Sequence, residues 1–478
     1  MKKIKLLGFG ALALTGALSL VACNSNGDEA KTTTTQTPST ATSTTTSTAT
    51  TTSSSSDKKL VFWHAAGDKN QKIIETAISN FKEKYGWDVV QSSQGGYDGL
   101  YNAIITGLQA NDVPDLAMCY SDHIATYLSS EKVADLAPYI NSTDTIATLS
   151  GGSETIGYSA TELADFVESF YEEGKATTYG EYQSYGYNEN SMLTMPLSKS
   201  TEIVYYNNDV LQELNIAVPE TWDDIWAACA IIKTKYPKSF PLCYDSEANW
   251  FITMCEQNGW GYTSANGDNH YLFNTTNHQN WLKELNGYYE KGYVATQTTY
   301  GAYTSGLFTK GAEGCTFCIG SSGGASYQDP KGEFNWGVCQ VPASVVNGEK
   351  VYKSISQGPS IFAFNNGDER VKMTWLFMKE LLDPTFQAKY SIESGYNPVR
   401  KSTYEIEDFK DFLSDEEDIK AAVVKVGQTL MANNSFYVSP AFPGSATARV
   451  NVGSALVYAL TGQKTPAKAL KDAIDAIV

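Results

Sequence analysis

Short apolar strand runs alternating with amphipathic helical stretches recur from Leu60 to the C-terminal end, and this alternation limits the folds open to the chain. Leu60-Val61-Phe62-Trp63 reads as a buried strand, and residues 70–85 carry Ile73, Ile74, Ala77, Ile78 and Phe81 at the spacing of one helix face. Val89-Val90 opens a second strand, residues 97–108 a second helix, and residues 115–119 a third strand. The pattern continues with a strand at 203–206, helices at 209–214, 222–235 and 281–291, and a strand at 314–319 that ends in Gly320-Ser321-Ser322-Gly323-Gly324. Thr221 is placed to cap the helix at 222–235. A strand at 360–364, a helix at 369–382 stopped by Asp383-Pro384, and helices at 454–460 and 465–477 complete the reading. Strands separated by helices predict an α/β fold with parallel sheets. Roughly 420 residues in this region exceed one ordinary domain and predict two lobes.

The N-terminal residues have a different character. Lys2, Lys3 and Lys5 precede an uncharged apolar stretch from Leu6 to Leu20, which suits a signal-peptide core and is too short for a spanning helix. Leu20-Val21-Ala22-Cys23 follows as a lipobox, so residues 1–23 read as a lipoprotein signal peptide with Cys23 as the lipidated residue. Residues 24–57 are Ser/Thr-rich and nearly devoid of apolar side chains; this composition cannot offset the entropy of ordering and predicts a disordered tether.

The formal charge of −18 argues against nucleic acid and against docking on anionic headgroups. Apart from Cys23, seven cysteines remain at irregular spacing, which does not form a disulfide framework. Cys315 and Cys318 spell C-x-x-C, but a strand there would turn the two thiols to opposite faces. Gly320-Ser321-Ser322-Gly323-Gly324 matches the nucleophile elbow of α/β-hydrolases at Ser322. The triad order needs a histidine after the serine, and His64, His123, His270 and His278 all precede it. No spacing calls for a metal or another cofactor.

Arg449 stands out. From 426 to 463 it is the only charged residue, set among small side chains in Ser445-Ala446-Thr447-Ala448-Arg449. A guanidinium without a local carboxylate suits an anion brought from elsewhere, a phosphate or carboxylate matching its planar fork. Trp63, Tyr97, Trp250, Trp260 and Tyr396 are the aromatic candidates for a stacking wall.

From about Leu60 to the C-terminal end the chain resembles the extracellular solute-binding proteins of ABC importers, family 1. The resemblance rests on Phe62-Trp63-His64, Gly95-Gly96-Tyr97, the run from Pro196 to Thr201, Tyr205-Tyr206-Asn207-Asn208-Asp209 and Thr221-Trp222. Further matches are Phe334-Asn335-Trp336-Gly337-Val338, Gly395-Tyr396-Asn397-Pro398, Ala448-Arg449-Val450 and the run from Thr461 to Pro466. It implies a type II periplasmic-binding fold: two α/β lobes, 58–198 with 357–396 and 199–356 with 397–478, joined by crossover strands around a ligand cleft. It also implies a monomer, anchored by lipid on the outer face of the membrane, that hands a solute to permease subunits and does no chemistry.

Carried over by position, the resemblance marks Tyr97, Ser200, Ser322 or its neighbour Ser321, Gly358, Tyr396 and Arg449 as ligand contacts. Members that take glycerol 3-phosphate have a glutamate after the tyrosine of the third strand. Here Ser121 follows Tyr120, with Asp122 expected to point elsewhere, which widens the implied pocket. The implied ligand is glycerol 3-phosphate or a glycerophosphodiester. The alternatives are an oligosaccharide, with Arg449 structural, and a secreted hydrolase using Ser322; a surface adhesin would not need the crossover segments.

Overall fold

The computed structural model describes residues 58–477; the lipobox, Cys23 and the Ser/Thr-rich segment lie outside them. Ten strands build two sheets: β1 (Lys59–His64), β2 (Asp88–Ser93), β3 (Leu116–Cys119), β4 (Met195–Pro196), β5 (Glu202–Asn207), β6 (Leu242–Tyr244), β7 (Val294–Thr296), β8 (Phe317–Ser321), β9 (Trp336–Gln340) and β10 (Ser360–Ala363). The first sheet has the order β2-β1-β3-β10-β4 and the second β9-β5-β8-β6-β7.

The helices that matter below are α1 (Asp68–Tyr85), α2 (Tyr97–Ala110), α3 (Ser121–Tyr127), α4 (Trp222–Lys235), α5 (Glu247–Asn258), α6 (Thr276–Glu290), α7 (Asp368–Leu381) and α8 (Ser445–Leu460). α1 forms because Ile74, Ala77, Phe81 and Tyr85 fall on one buried face; it stops at Gly86, whose φ of 70° lets its N–H return to the Lys82 carbonyl. α4 is fixed at its start by a reciprocal box between Thr221 and Asp224.

Both sheets are mixed rather than parallel throughout. β1 runs parallel to β2 and β3, but β10 is antiparallel to β3 and β4, and β5 is antiparallel to β8 and β9. β5 and β10 each arrive from the opposite lobe rather than through a crossover helix on their own sheet, so they enter in the reverse direction.

Two other expectations change. The strand near 314 begins only at Phe317; Cys315 is held by the preceding turn, its N–H bonded to the Gly311 carbonyl. Its thiol therefore does not point away from Cys318 but joins the thiols of Cys243 and Cys318 in one buried cluster. The seven cysteines among the described residues are free, and burial pushes the Cys315 thiol up, away from reactive thiolate. Arg449 lies on a helix: α8 begins at Ser445, nine residues before the start expected at 454. α8 exposes one stripe, Thr447, Val450, Ser454 and Tyr458, but that stripe carries no charge and includes apolar side chains, so the helix shows no amphipathic period; Gly453 lets it approach α5 so closely that a Cβ would lie 3.2 Å from the Ala248 nitrogen.

Two main cores result. One gathers Leu60, Phe62, Phe81, Ile104, Met118, Phe362, Trp375 and Val399. The other gathers Val204, Ile225, Leu242, Trp250, Phe251, Phe317, Val452 and Leu470. Between them three chain passes lie side by side: Lys199 pairs with Asn397 and Ser200 with Gln357. At this junction the buried Lys199 ammonium meets the Glu173 carboxylate, which also accepts from Ser356 Oγ at 2.8 Å and from Ser121 Oγ at 3.4 Å. Among the described residues no helix is long and apolar enough to cross a membrane, and no His/Cys/Asp/Glu group is placed to hold a metal.

Candidate functional site

A cavity of about 1270 Å³ opens between the two sheets and is lined from both sides of the junction. On one side Gly95 and Gly96, at φ 78° and 109°, turn the chain so that Tyr97 opens α2. Tyr120 follows β3, and its ring stacks on Tyr97 at 3.9 Å and 18°. Tyr396 bonds to the Tyr97 hydroxyl; burial pushes the pKa of all three phenols upward, so they stay neutral hydroxyls at the wall. Asp122 and His123, in the first turn of α3, complete this side.

On the other side α5 and α8 bring Asn249 and Arg449 together. The Arg449 guanidinium donates to Asn249 Oδ1, and Asn249 Nδ2 donates to Gln357 Oε1 at 3.2 Å. Glu202 lies behind them, 3 % exposed, with the Tyr244 hydroxyl donating to it. Burial pushes the Glu202 carboxyl up to about 7, against the opposing pull of Tyr244, Asn249 and Arg449. Asp245 accepts from Thr304 N and Oγ1 at 2.6 and 2.8 Å, and Glu247 from Thr298 N at 2.9 Å.

The charge distribution is lopsided. Asp98, Asp122, Glu202, Asp245 and Glu247 line the cavity, and Arg449 is its one lysine or arginine. Among the described residues no carboxylate stands within salt-bridge distance of Arg449, and no donor reaches the Asp122 carboxylate. Burial, the largest effect, keeps His123 neutral although Asp122 is nearby.

The raised Glu202 pKa carries a pH signature. Between about 4.5 and 7 the folded protein holds a proton that the unfolded chain releases, so this group's contribution to stability falls as pH rises through that window. Urea unfolding at pH 5 and pH 8 is expected to give a difference up to about 3 kcal/mol larger in the parent than in Glu202→Gln. Equal differences in the two proteins would show that Glu202 titrates normally.

The structure brings Tyr97, Ser200, Tyr396 and Arg449 to the cleft wall and leaves six candidates off it: Ser121, Ser322, Gly358, Trp63, Trp250 and Trp260, the last packed against the second core. Ser121 turns to Glu173 at the junction, and Asp122, expected to point away, faces the cavity instead; the start of α3 rotates successive side chains by about 100°. Ser322 is fully buried, its Oγ accepting from the Thr201 N–H at 3.2 Å, which removes it as an exposed nucleophile; Ser321 is the serine at the wall. Gly358, at φ 114°, closes the crossovers: a Cβ would lie 2.8 Å from both Ser198 O and Ser200 N, and Gln357 reaches the cavity in its place. Trp63 packs beside Gly107 in the first core. Trp250 is buried in the second, stacked on Tyr244 at 4.7 Å, because α5 turns it away from the side that Asn249 faces.

The family model of the bacterial extracellular solute-binding proteins matches residues 76–421. The chain belongs to that family. It is 26 % identical over 365 residues to the sn-glycerol-3-phosphate-binding periplasmic protein UgpB of Rhizobium meliloti, covering 73 % of this chain and 76 % of the relative. Two solved structures share the fold at a TM-score of 0.68, each aligned over 88 % of this chain and 97 % of its own. One is UgpB from Mycobacterium tuberculosis in complex with glycerophosphocholine, 16 % identical. The other is an ABC substrate-binding protein from Listeria monocytogenes in complex with cycloalternan, 17 % identical. The two-lobed α/β architecture of this solute-binding protein is thus that of its neighbours, and the cleft between its lobes is the candidate site.

Proposed function

We propose that this ABC-type solute-binding protein captures a glycerophosphodiester in the cleft and releases it unchanged to its permease. The observation that carries this reading is one guanidinium, Arg449, in a wall whose other ionisable side chains are mostly acidic, with Asp122 left without a donor. A phosphodiester carries one negative charge, which the fork of Arg449 suits. The glycerol hydroxyls and the head group then supply donors or a positive charge to Asp122 and its neighbours. A dianionic glycerol 3-phosphate meets more repulsion from the acidic side chains Asp98, Asp122, Asp245 and Glu247, and it fills little of about 1270 Å³. The tyrosine wall suits the apolar edges of such a ligand. Held by a lipid on Cys23, the protein would work from the outer face of the membrane, the segment at 24–57 acting as its tether.

A second reading is a neutral oligosaccharide. It is favoured by the bond that Arg449 already makes to Asn249, which gives the guanidinium a structural partner. Calorimetry with glycerophosphocholine, glycerol 3-phosphate and maltotriose separates the two. The diester is expected to bind most tightly, to be recovered intact, and to raise apparent stability in proportion to its saturation. Tight binding of maltotriose that neither phosphate compound displaces would replace the first reading with the second.

A further inference from the structure

We propose, building on capture of a phosphodiester at Arg449, that the first-lobe corner of the cleft is a subsite for an organic cation, so that the head group of the ligand is an alkylammonium. The corner is made by α2 and α3, which place Asp98, Tyr101, Asp122 and His123 on the cavity wall beside Tyr120.

The ionised carboxylates of the cleft divide into two pairs. Asp245 and Glu247, on the second lobe, already accept from Thr304 and Thr298. Asp98 and Asp122, on the first, meet no donor and no cation among the described residues; Ser445 Oγ reaches only the backbone carbonyl of Asp122, at 3.4 Å. Both stand in the first turn of a helix, where the dipole favours an acid. That accounts for Asp98, which is exposed. It does not account for Asp122 and His123, which are 7 % and 8 % exposed and whose side chains make no hydrogen bond among the described residues. Buried polar groups are normally paired, and an unpaired one at a cavity wall is free to meet a group that arrives. Neither side chain is sealed in the core: both line the cavity, and neither has a polar atom closed off from it.

Charge and rings decide what suits the corner. Hydroxyls would pair the two carboxylates but leave their charge uncompensated, whereas an ammonium compensates it. Burial keeps His123 neutral, so the imidazole adds no competing positive charge. Its ring lies 4.8 Å from that of Tyr101 and 5.2 Å from that of Tyr120, tilted at 52° and 53°, so three aromatic rings converge beside the acids. Aromatic rings of this kind attract ammonium groups. Arg449 acts electrostatically on both Tyr120 and His123, which makes the anion site and the corner neighbours in one cleft. A diester with an anionic phosphate and a cationic head group matches both.

Calorimetry compares glycerophosphocholine and glycerophosphoethanolamine with glycerophosphoglycerol, whose head group is neutral. The parent is expected to bind the two cationic diesters at least about tenfold more tightly, the difference made by one contact to a charged group. Asp122→Asn keeps the shape and removes the charge; it is expected to bring that preference to about threefold or less, what remains being the pull of exposed Asp98. Asp98→Asn is expected to reduce the preference by a smaller factor than Asp122→Asn, and its exposed position spares the fold. Each variant is first shown to melt like the parent. Equal affinity of the parent for all three diesters, or a preference that both variants keep, would overturn the cation subsite and leave phosphodiester capture in place. Binding of none of the three would overturn phosphodiester capture and the subsite with it.

Discussion

Glu173→Gln is expected to destabilise the protein by about 3–5 kcal/mol, the loss that follows when one partner of a buried ion pair is removed. Glu173 and Lys199 are 6 % and 2 % exposed, and Lys199 lies on the first pass between the lobes. Gln keeps the shape and still accepts from Ser356, so what is lost is the charge that compensates a buried ammonium. The double variant Glu173→Gln/Lys199→Met is expected to regain most of the loss, because no uncompensated charge remains. Urea unfolding of the parent, single and double variants reads this directly. A single variant as stable as the parent would mean that the ammonium reaches solvent by a local rearrangement of the junction. Ser121, Ser356 and Lys199 come from three separate stretches of chain and converge on this one carboxylate.

Strand and helix periods carried the architecture because they are local. Residues 59–64, 68–85 and 222–235 show one apolar face each, and a capping threonine before Trp222 marks a start. What failed was whatever depends on the opposite lobe. Antiparallel entry of β5 and β10 is set by the crossovers, and no residue within either strand reports it. α8 was seen only from its second half, because its exposed stripe holds Thr447, Val450, Ser454 and Tyr458 rather than charged residues, which erases the amphipathic signal.

The site was legible in the same uneven way. Tyr97, Ser200, Tyr396 and Arg449 sit in recognisable motifs, and all four reach the cavity. Glu202, Asn249 and Gln357 are ordinary polar residues in sequence; their roles come from a network assembled across roughly 150 residues. Trp63 and Trp250 show the converse error, since a large aromatic in an α/β lobe most often fills a core, as both do here. The choice between Ser121 and Asp122, or between Ser321 and Ser322, turns on one residue of register at a strand end. Sequence spacing does not resolve that step.

Arg449→Ala is expected to weaken binding of glycerophosphocholine by at least about tenfold. A charge-assisted hydrogen bond is worth roughly 1.5–3 kcal/mol, and 1.4 kcal/mol is one decade of affinity. The loss has a second component specific to this cleft. Arg449 helps hold the Glu202 carboxyl down against burial, so its removal favours protonated Glu202 and leaves Asn249 Oδ1 without its donor. Arg449→Lys is expected to recover only part of the affinity, because an ammonium restores the charge without the planar fork. Tyr396→Phe is expected to lose less than Arg449→Ala, since it gives up one neutral hydroxyl and keeps the ring against the cleft wall. Calorimetry on the three variants, each first shown to melt like the parent, orders these losses. Unchanged binding of the phosphodiester by Arg449→Ala would make the guanidinium a structural clamp on Asn249, and the oligosaccharide reading would take its place.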